Sequence, residues 1–192
     1  MLPLLVLGAL LLSSCHGDPA ARPAPTGTAA TAPVALGGPS RPPVAPPQRP
    51  MDDLERPVHA RLAAQLAGQG LTLDYLACPR WRGRVPVRLT CKGYVDGLVA
   101  PVAVHLRAAV AGKAVGFDAR LLDGVISTRR LERTLARQGG READCGRTPA
   151  YPAEVGLRVV CRVTRAGGRR YVVATVTDRS GAVMISDYRP RS

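Results

Sequence analysis

Leu66-Ala67-Gly68-Gln69-Gly70 recurs as Leu135-Ala136-Arg137-Gln138-Gly139, and this near-repeat decides how the chain is read. Each copy ends an apolar stripe at helical spacing. Val58, Leu62 and Leu66 lie four apart on one face, and Ile126, Leu131 and Leu135 do nearly the same. Pro57 is expected as the first residue of the first helix. Ser127 or Thr128 supplies the N-cap of the second. Each stripe stops at glycine, as helix C-termini prefer.

Working outward, each copy meets two cysteines, Cys78 and Cys91 in the first, Cys145 and Cys161 in the second. Both second cysteines sit in alternating runs: Val85, Val87, Leu89, Cys91, and Leu157, Val159, Cys161, Val163. Asp96-Gly97 and Gly167-Gly168 then read as hairpin turns. The strands Val102–Leu106 and Tyr171–Val176 follow, then turns at Ala111-Gly112-Lys113 and Arg179-Ser180-Gly181. A last strand closes each copy near Ala114–Leu121 and Ala182–Tyr188. The fold expected is α+β: two tandem units, residues 51–122 and 123–192, each a short helix packed on a three-stranded antiparallel sheet with one disulfide.

The N-terminus sets the compartment. Residues 1–14 carry no charged side chain and are mostly apolar, and Leu12-Ser13-Ser14-Cys15 ends the run. About 11 apolar residues are too few to span a bilayer as a helix, which needs roughly 20. The pattern resembles the lipobox of bacterial lipoproteins, with residues 1–14 as signal peptide and Cys15 as the lipidated first mature residue. No Lys or Arg precedes the apolar run, a departure from that pattern. An ordinary secretory signal with an incidental Cys15 is the alternative. Several acyl chains on Cys15 would anchor the protein to the outer face of the cell membrane.

Residues 15–50 read as the lipidated cysteine and a Pro-rich disordered tether. Ten of the 18 prolines fall here, with no apolar period to bury against the entropy of ordering. Extended polyproline II at about 3.1 Å per residue would let 35 residues reach on the order of 100 Å. A plain spacer with no wall-spanning role is the other reading.

Composition bounds the rest. About 140 residues remain for folded structure, enough for one domain or two small ones. One Phe and one Trp leave the core to Val, Leu, Ile and Ala, and small aliphatic cores often need staples. One lipidated cysteine out of five leaves four. Export permits disulfides. The four allow three connectivities, of which the repeat favours Cys78–Cys91 and Cys145–Cys161. Zinc fails on spacing, because no Cys-x2-Cys pair is present and no His lies near. The net charge of +13 reads first as solvated surface charge, with contact to anionic head groups or wall polyanions as the other reading. Basic runs never exceed two residues, and an exported chain meets no nucleic acid.

The order of lipobox, Pro-rich tether, short helix, Cys78-Pro79, strand cysteine and Gly-centred hairpin resembles the domain of unknown function family 4333 of actinobacterial lipoproteins, in two tandem copies. The second copy carries the resemblance through Cys145, Gly156, Cys161, the Val163–Gly168 stretch, Tyr171, Val173 and Thr175. The first keeps Cys78, Pro79 and Cys91 but places Pro101 inside its hairpin. The resemblance implies fold and location; the family brings no activity with it.

No catalytic group stands out, and no cofactor or metal is expected. His16 lies in the tether. His59 is expected at solvent or the helix flank, and His105 on the face opposite Val104 and Leu106. Nucleophile-elbow, zinc-protease and phosphate-loop motifs are missing. Asp52 and Asp53 suit a helix start, Glu132 and Glu142 surface charge, and Asp178 and Asp187 strand ends or turns. Trp81, between Arg80 and Arg82, is expected to fold over the disulfide as a minor core residue. The other reading makes Arg80, Trp81 and Arg82 a ligand contact, suited to a sugar face or lipid interface. The expected function is non-catalytic binding or interaction by a lipid-anchored protein, through an anionic cell-wall polymer or another envelope protein. A secreted inhibitor of an extracellular enzyme is the alternative, on a plan like that of β-lactamase inhibitory proteins.

Overall fold

The computed structural model describes residues 34–39, 41–83, 85–108 and 116–189. Residues 1–33, with the signal peptide and Cys15, lie outside them, as does the expected turn at Ala111-Gly112-Lys113. The first half runs α1 (Glu55–Ala67), β1 (Leu73–Ala77), β2 (Val87–Val95), β3 (Leu98–Leu106) and β4 (Phe117–Leu121). The second runs β5 (Val125–Ser127), α2 (Thr128–Arg137), β6 (Glu142–Asp144), β7 (Ala150–Pro152), β8 (Arg158–Arg165), β9 (Gly168–Val176) and β10 (Val183–Asp187). The architecture is α+β with antiparallel sheets.

Helix α1 begins two residues before Pro57. The backbone N–H of Glu55 donates to Asp52 Oδ1 at 2.8 Å, and the N–H of Asp52 donates back to Glu55 Oε2 at 2.9 Å. This reciprocal capping box fixes the start, and Pro57 is tolerated because the N–H it lacks would be unpaired in the first turn. The helix ends in a Schellman arrangement. Gly70 N–H donates to Ala67 O and Leu71 N–H to Leu66 O, with Gly70 at φ +76°, a conformation glycine adopts freely. In α2 the Ser127 hydroxyl oxygen accepts from Arg130 N–H at 3.2 Å, as the N-cap. The expected stripes are the buried faces: Val58, Leu62 and Leu66 in α1, Leu131 and Leu135 in α2 with Ile126 just before it.

The expectation of three-stranded sheets is corrected. Two four-stranded sheets form, in the orders β1-β2-β3-β4 and β10-β9-β8-β6, with a two-stranded ribbon, β5-β7, beside them. The extra strand in each sheet is the short edge strand just before the first cysteine. The three-residue β6, Glu-Ala-Asp, has no strand-like pattern and exists because its backbone pairs with Arg162–Thr164 of β8. The hairpin at Asp96-Gly97 has φ values of 48° and 81°, the two positive values of a type I′ turn that suits right-twisted strands. In the second hairpin Arg165 pairs with Gly168, so the turn residues are Ala166-Gly167, one residue earlier than expected. Pro101 is accommodated inside β3 because its backbone faces β4 at the end of that ladder. Its carbonyl accepts from Leu122 N–H at 2.8 Å, and no β2 hydrogen bond is lost.

Alternation divides each sheet. Ala100, Val102, Val104 and Leu106 of β3 and Cys91, Gly93 and Val95 of β2 are buried toward α1. Val159, Cys161 and Val163 of β8 and Val172, Ala174 and Val176 of β9 are buried toward α2. Val34–Ser192 fall in one compact unit. Val125 and Ala150 of the second half pack into the first core, and the Ser127 hydroxyl donates to Gly70 O at 2.8 Å.

The end of the expected tether is structured. Gly37 exchanges both backbone hydrogen bonds with Val160 of β8, at 2.8 and 2.9 Å. Gly38 N–H donates to Tyr151 Oη at 3.1 Å. Val44 N–H donates to Gly97 O at 2.8 Å, and Arg49 reaches Glu55. Residues 34–39 and 41–50 therefore cross both halves as a strap. Backbone pairing holds it, which apolar periodicity does not reveal.

Candidate functional site

The disulfides are Cys78–Cys91 and Cys145–Cys161, the pairing the repeat favoured. The first closes the loop that carries Arg80, Trp81 and Arg82. At the base of that loop stands Glu55, which has no exposed side-chain surface. Its Oε1 accepts from Cys78 N–H at 2.7 Å and Arg49 Nη2 at 2.5 Å. Its Oε2 accepts from Arg49 Nη1 at 2.8 Å and Asp52 N–H at 2.9 Å. Burial pushes the carboxyl upward, but the hydrogen bonds from Arg49 and the backbone N–H groups of Cys78 and Asp52 outweigh it and hold the group below the usual carboxylate range. One carboxylate thus fastens the helix start, the disulfide loop and the strap. Sequence reading missed Glu55, although Asp52-x-x-Glu55 before an apolar stripe is a capping-box signal.

The second half has a counterpart. Glu132, expected as plain surface charge, is half-buried, and its Oε1 accepts from Cys145 N–H at 3.0 Å. A helix carboxylate therefore meets the backbone of the first cysteine in both halves. The helix positions differ, the first turn in α1 and the middle in α2.

Trp81 is half-buried and packs against the first core. It also forms one wall of an open groove of about 640 Å³. Pro57 and Phe117 continue the apolar lining; Asp52, Asp53 and Arg80 supply the polar one. The structure thus brings Arg80 and Trp81 into one groove, whereas Arg82 is exposed and does not line it. Phe117 is braced by Arg61, whose guanidinium carbon lies 5.7 Å from the ring centroid. Asp53 is ion-paired with Arg56, and Asp52 Oδ1 is occupied by the N–H groups of Leu54 and Glu55. A lining that combines aromatic and charged side chains suits a ligand with both apolar and hydrogen-bonding surface.

His59 Nε2 lies 2.9 Å from Leu73 O and ties α1 to β1. His105 lies on the sheet face away from α1, in register with Arg88 and Asp118. His16 is outside the described residues. Among the described residues no three His, Cys, Asp or Glu side chains converge as a metal site, and no helix is long and apolar enough to cross a membrane. The two disulfides fit an oxidising, extracytoplasmic setting. No family model, no curated protein and no solved structure matches the chain.

Proposed function

We propose that this chain is an exported protein anchored through a lipid on Cys15, whose folded part binds an envelope ligand through the Trp81 groove without catalysis. The groove is the observation that carries the reading. Its lining combines aromatic Trp81 and Phe117 with charged Asp52, Asp53 and Arg80, and the Cys78–Cys91 disulfide and Glu55 lie at the base of the loop that carries Trp81. The two halves are read as tandem versions of one helix-and-sheet plan, and the likeness to domain family 4333 rests on the same order of elements. A wall glycan fragment matches this chemistry: its CH faces stack on Trp81 and its hydroxyls reach Asp52, Asp53 and Arg80.

Trp81 is the only tryptophan in the chain, so its emission reports this groove alone. Titration with soluble wall glycan fragments should shift and saturate the emission, with affinity lost in Trp81→Ala and reduced in Arg80→Ala. Unchanged emission across such fragments would leave Trp81 as a lid on the disulfide and nothing more.

The inhibitor reading keeps one observation of its own. Val99 and Val155, 42 % and 64 % exposed, line a second, smaller cavity of about 470 Å³. It is flanked by the ion pairs Arg41–Glu154 and Arg179–Asp123. Exposed apolar surface with a polar rim marks protein contacts. An enzyme partner lost on Val155→Asp, together with an unlipidated mature chain, would favour that reading.

A further inference from the structure

The two halves carry opposite charge at the same end of their common plan. In the second half, the end formed by the α2 C-terminus and the β8–β9 hairpin tip carries Arg137, Arg141, Arg165, Arg169 and Arg170. The register brings them together. Arg141 N–H donates to Thr164 O at 2.7 Å, Thr164 pairs with Arg169, and Val163 pairs with Arg170. A Cβ at Gly140 would lie 2.9 Å from Val163, so the helix end sits on the base of the hairpin. Glu142, in register with Thr164, is the one carboxylate at this end. The corresponding end of the first half, residues 65–75 and 93–100, contains no Arg or Lys and carries Asp74 and Asp96. The fold therefore does not require arginines at this position.

None of these five arginines is in an ion pair among the described residues. The Nε of Arg165 is shielded from solvent and has no hydrogen-bond partner among them. Guanidinium groups hold phosphate oxygens through paired N–H donors, and clustered cations gain affinity by displacing counterions from a polyanion. Arg169 and Arg170 are adjacent in β9 and so point to opposite faces. The turn between the strands is Ala166-Gly167. A narrow tip with charge on both faces and no large apolar side chain to insert suits a flexible chain that wraps it better than a flat bilayer.

We propose that the β8–β9 tip is a docking site for a flexible phosphodiester polymer of the cell envelope. The identity of the polymer rests on the exported placement above; the site does not depend on the Trp81 groove. The test uses the full chain with Cys15→Ser, which removes any acyl anchor, and soluble poly(glycerol phosphate) as probe. Binding should weaken at least tenfold in Arg165→Gln/Arg169→Gln/Arg170→Gln. The salt slope of log affinity should fall by about two, at roughly 0.7 per phosphate contact. The charge-matched control Arg82→Gln/Arg88→Gln/Arg120→Gln should lose less than threefold. Arg169→Gln/Arg170→Gln, with both residues exposed, guards against a folding defect at half-buried Arg165 and should lose at least threefold. Equal loss in the tip and control variants, or no binding of the polymer at 0.1 M salt, overturns the proposal. So does binding to vesicles of 30 % phosphatidylglycerol in phosphatidylcholine without binding to the polymer. Trp81 emission followed in the same titration separates the two sites. A tip that fails while glycan fragments still move the emission leaves the groove reading standing.

Discussion

Replacing Glu55 with Gln should cost about 3 kcal/mol of stability, and the structure supplies the arithmetic. Two oxygens accept four donors, two from Arg49 and one each from Asp52 and Cys78. A glutamine keeps one of those oxygens and turns the other into a donor. Whichever way it faces, one backbone N–H and one guanidinium N–H then meet an N–H. An unsatisfied buried donor costs about 1–3 kcal/mol, and breaking a buried ion pair about 3–5 kcal/mol. The Arg49 side chain is 48 % exposed, so water can take up its freed N–H groups, which places the total near the lower end of the second range. For a chain of this size each kcal/mol moves Tm by roughly 2–4 °C, so a fall of about 6–12 °C is expected, with the disulfides intact. The pH dependence carries the sign. The folded carboxyl titrates below its unfolded value, so its contribution is fully present above the unfolded value of about 4.3. It is lost as pH falls through the folded pKa. The wild-type and Glu55→Gln stabilities should therefore converge in acid and separate at neutral pH. Urea unfolding at a series of pH values measures this. A variant within 0.5 kcal/mol of wild type at pH 7 would refute the assignment of Glu55 as the tie between helix, loop and strap.

Other perturbations have equally direct readouts. Changing Cys78 and Cys91 together to Ser should cost about 3 kcal/mol by chain-entropy reasoning, read by urea unfolding; a cost below 1 kcal/mol would show that the loop is held by its hydrogen bonds alone. Gly37→Ala places a Cβ 2.7 Å from Tyr151 Oη at a φ of +96°. Faster amide exchange and proteolysis within residues 34–48 are expected, with circular dichroism unchanged; unaltered exchange would mean the strap is not held at Gly37. Leu62→Ala, in a position 2 % exposed, should cost about 2–5 kcal/mol. Arg41→Ala breaks an ion pair exposed on both sides and should change stability by less than about 0.5 kcal/mol.

The parts of this fold written locally could be read from the chain. Val58, Leu62 and Leu66 announce a buried helix face because their spacing is helical. Asp96-Gly97 announces a hairpin because both residues tolerate positive φ. The cysteine pairing follows from the repeat. The parts made by distant backbone could not be read. Strand β6 is Glu-Ala-Asp and becomes a strand only by pairing with β8. The strap is Pro-rich and has no apolar period, and two hydrogen bonds to Val160 hold it where composition argues for disorder. Trp81 was legible as an odd residue between two arginines. Its groove partners Asp52, Pro57 and Phe117 come from the start of α1 and of β4, so no local pattern joins them. Arg80 and Arg82 looked equivalent in sequence, but only Arg80 lines the groove.

We propose an exported, lipid-anchored protein held by two disulfides. The intact mass of the protein isolated from its own membranes tests it, taken with and without reduction and thiol alkylation. The expected result is a mature chain that begins at Cys15, carries added acyl mass, and offers four alkylatable thiols only after reduction. A chain without acyl mass would contradict the anchor and turn attention to a diffusible inhibitor. Thiols that alkylate without reduction would contradict the two disulfides.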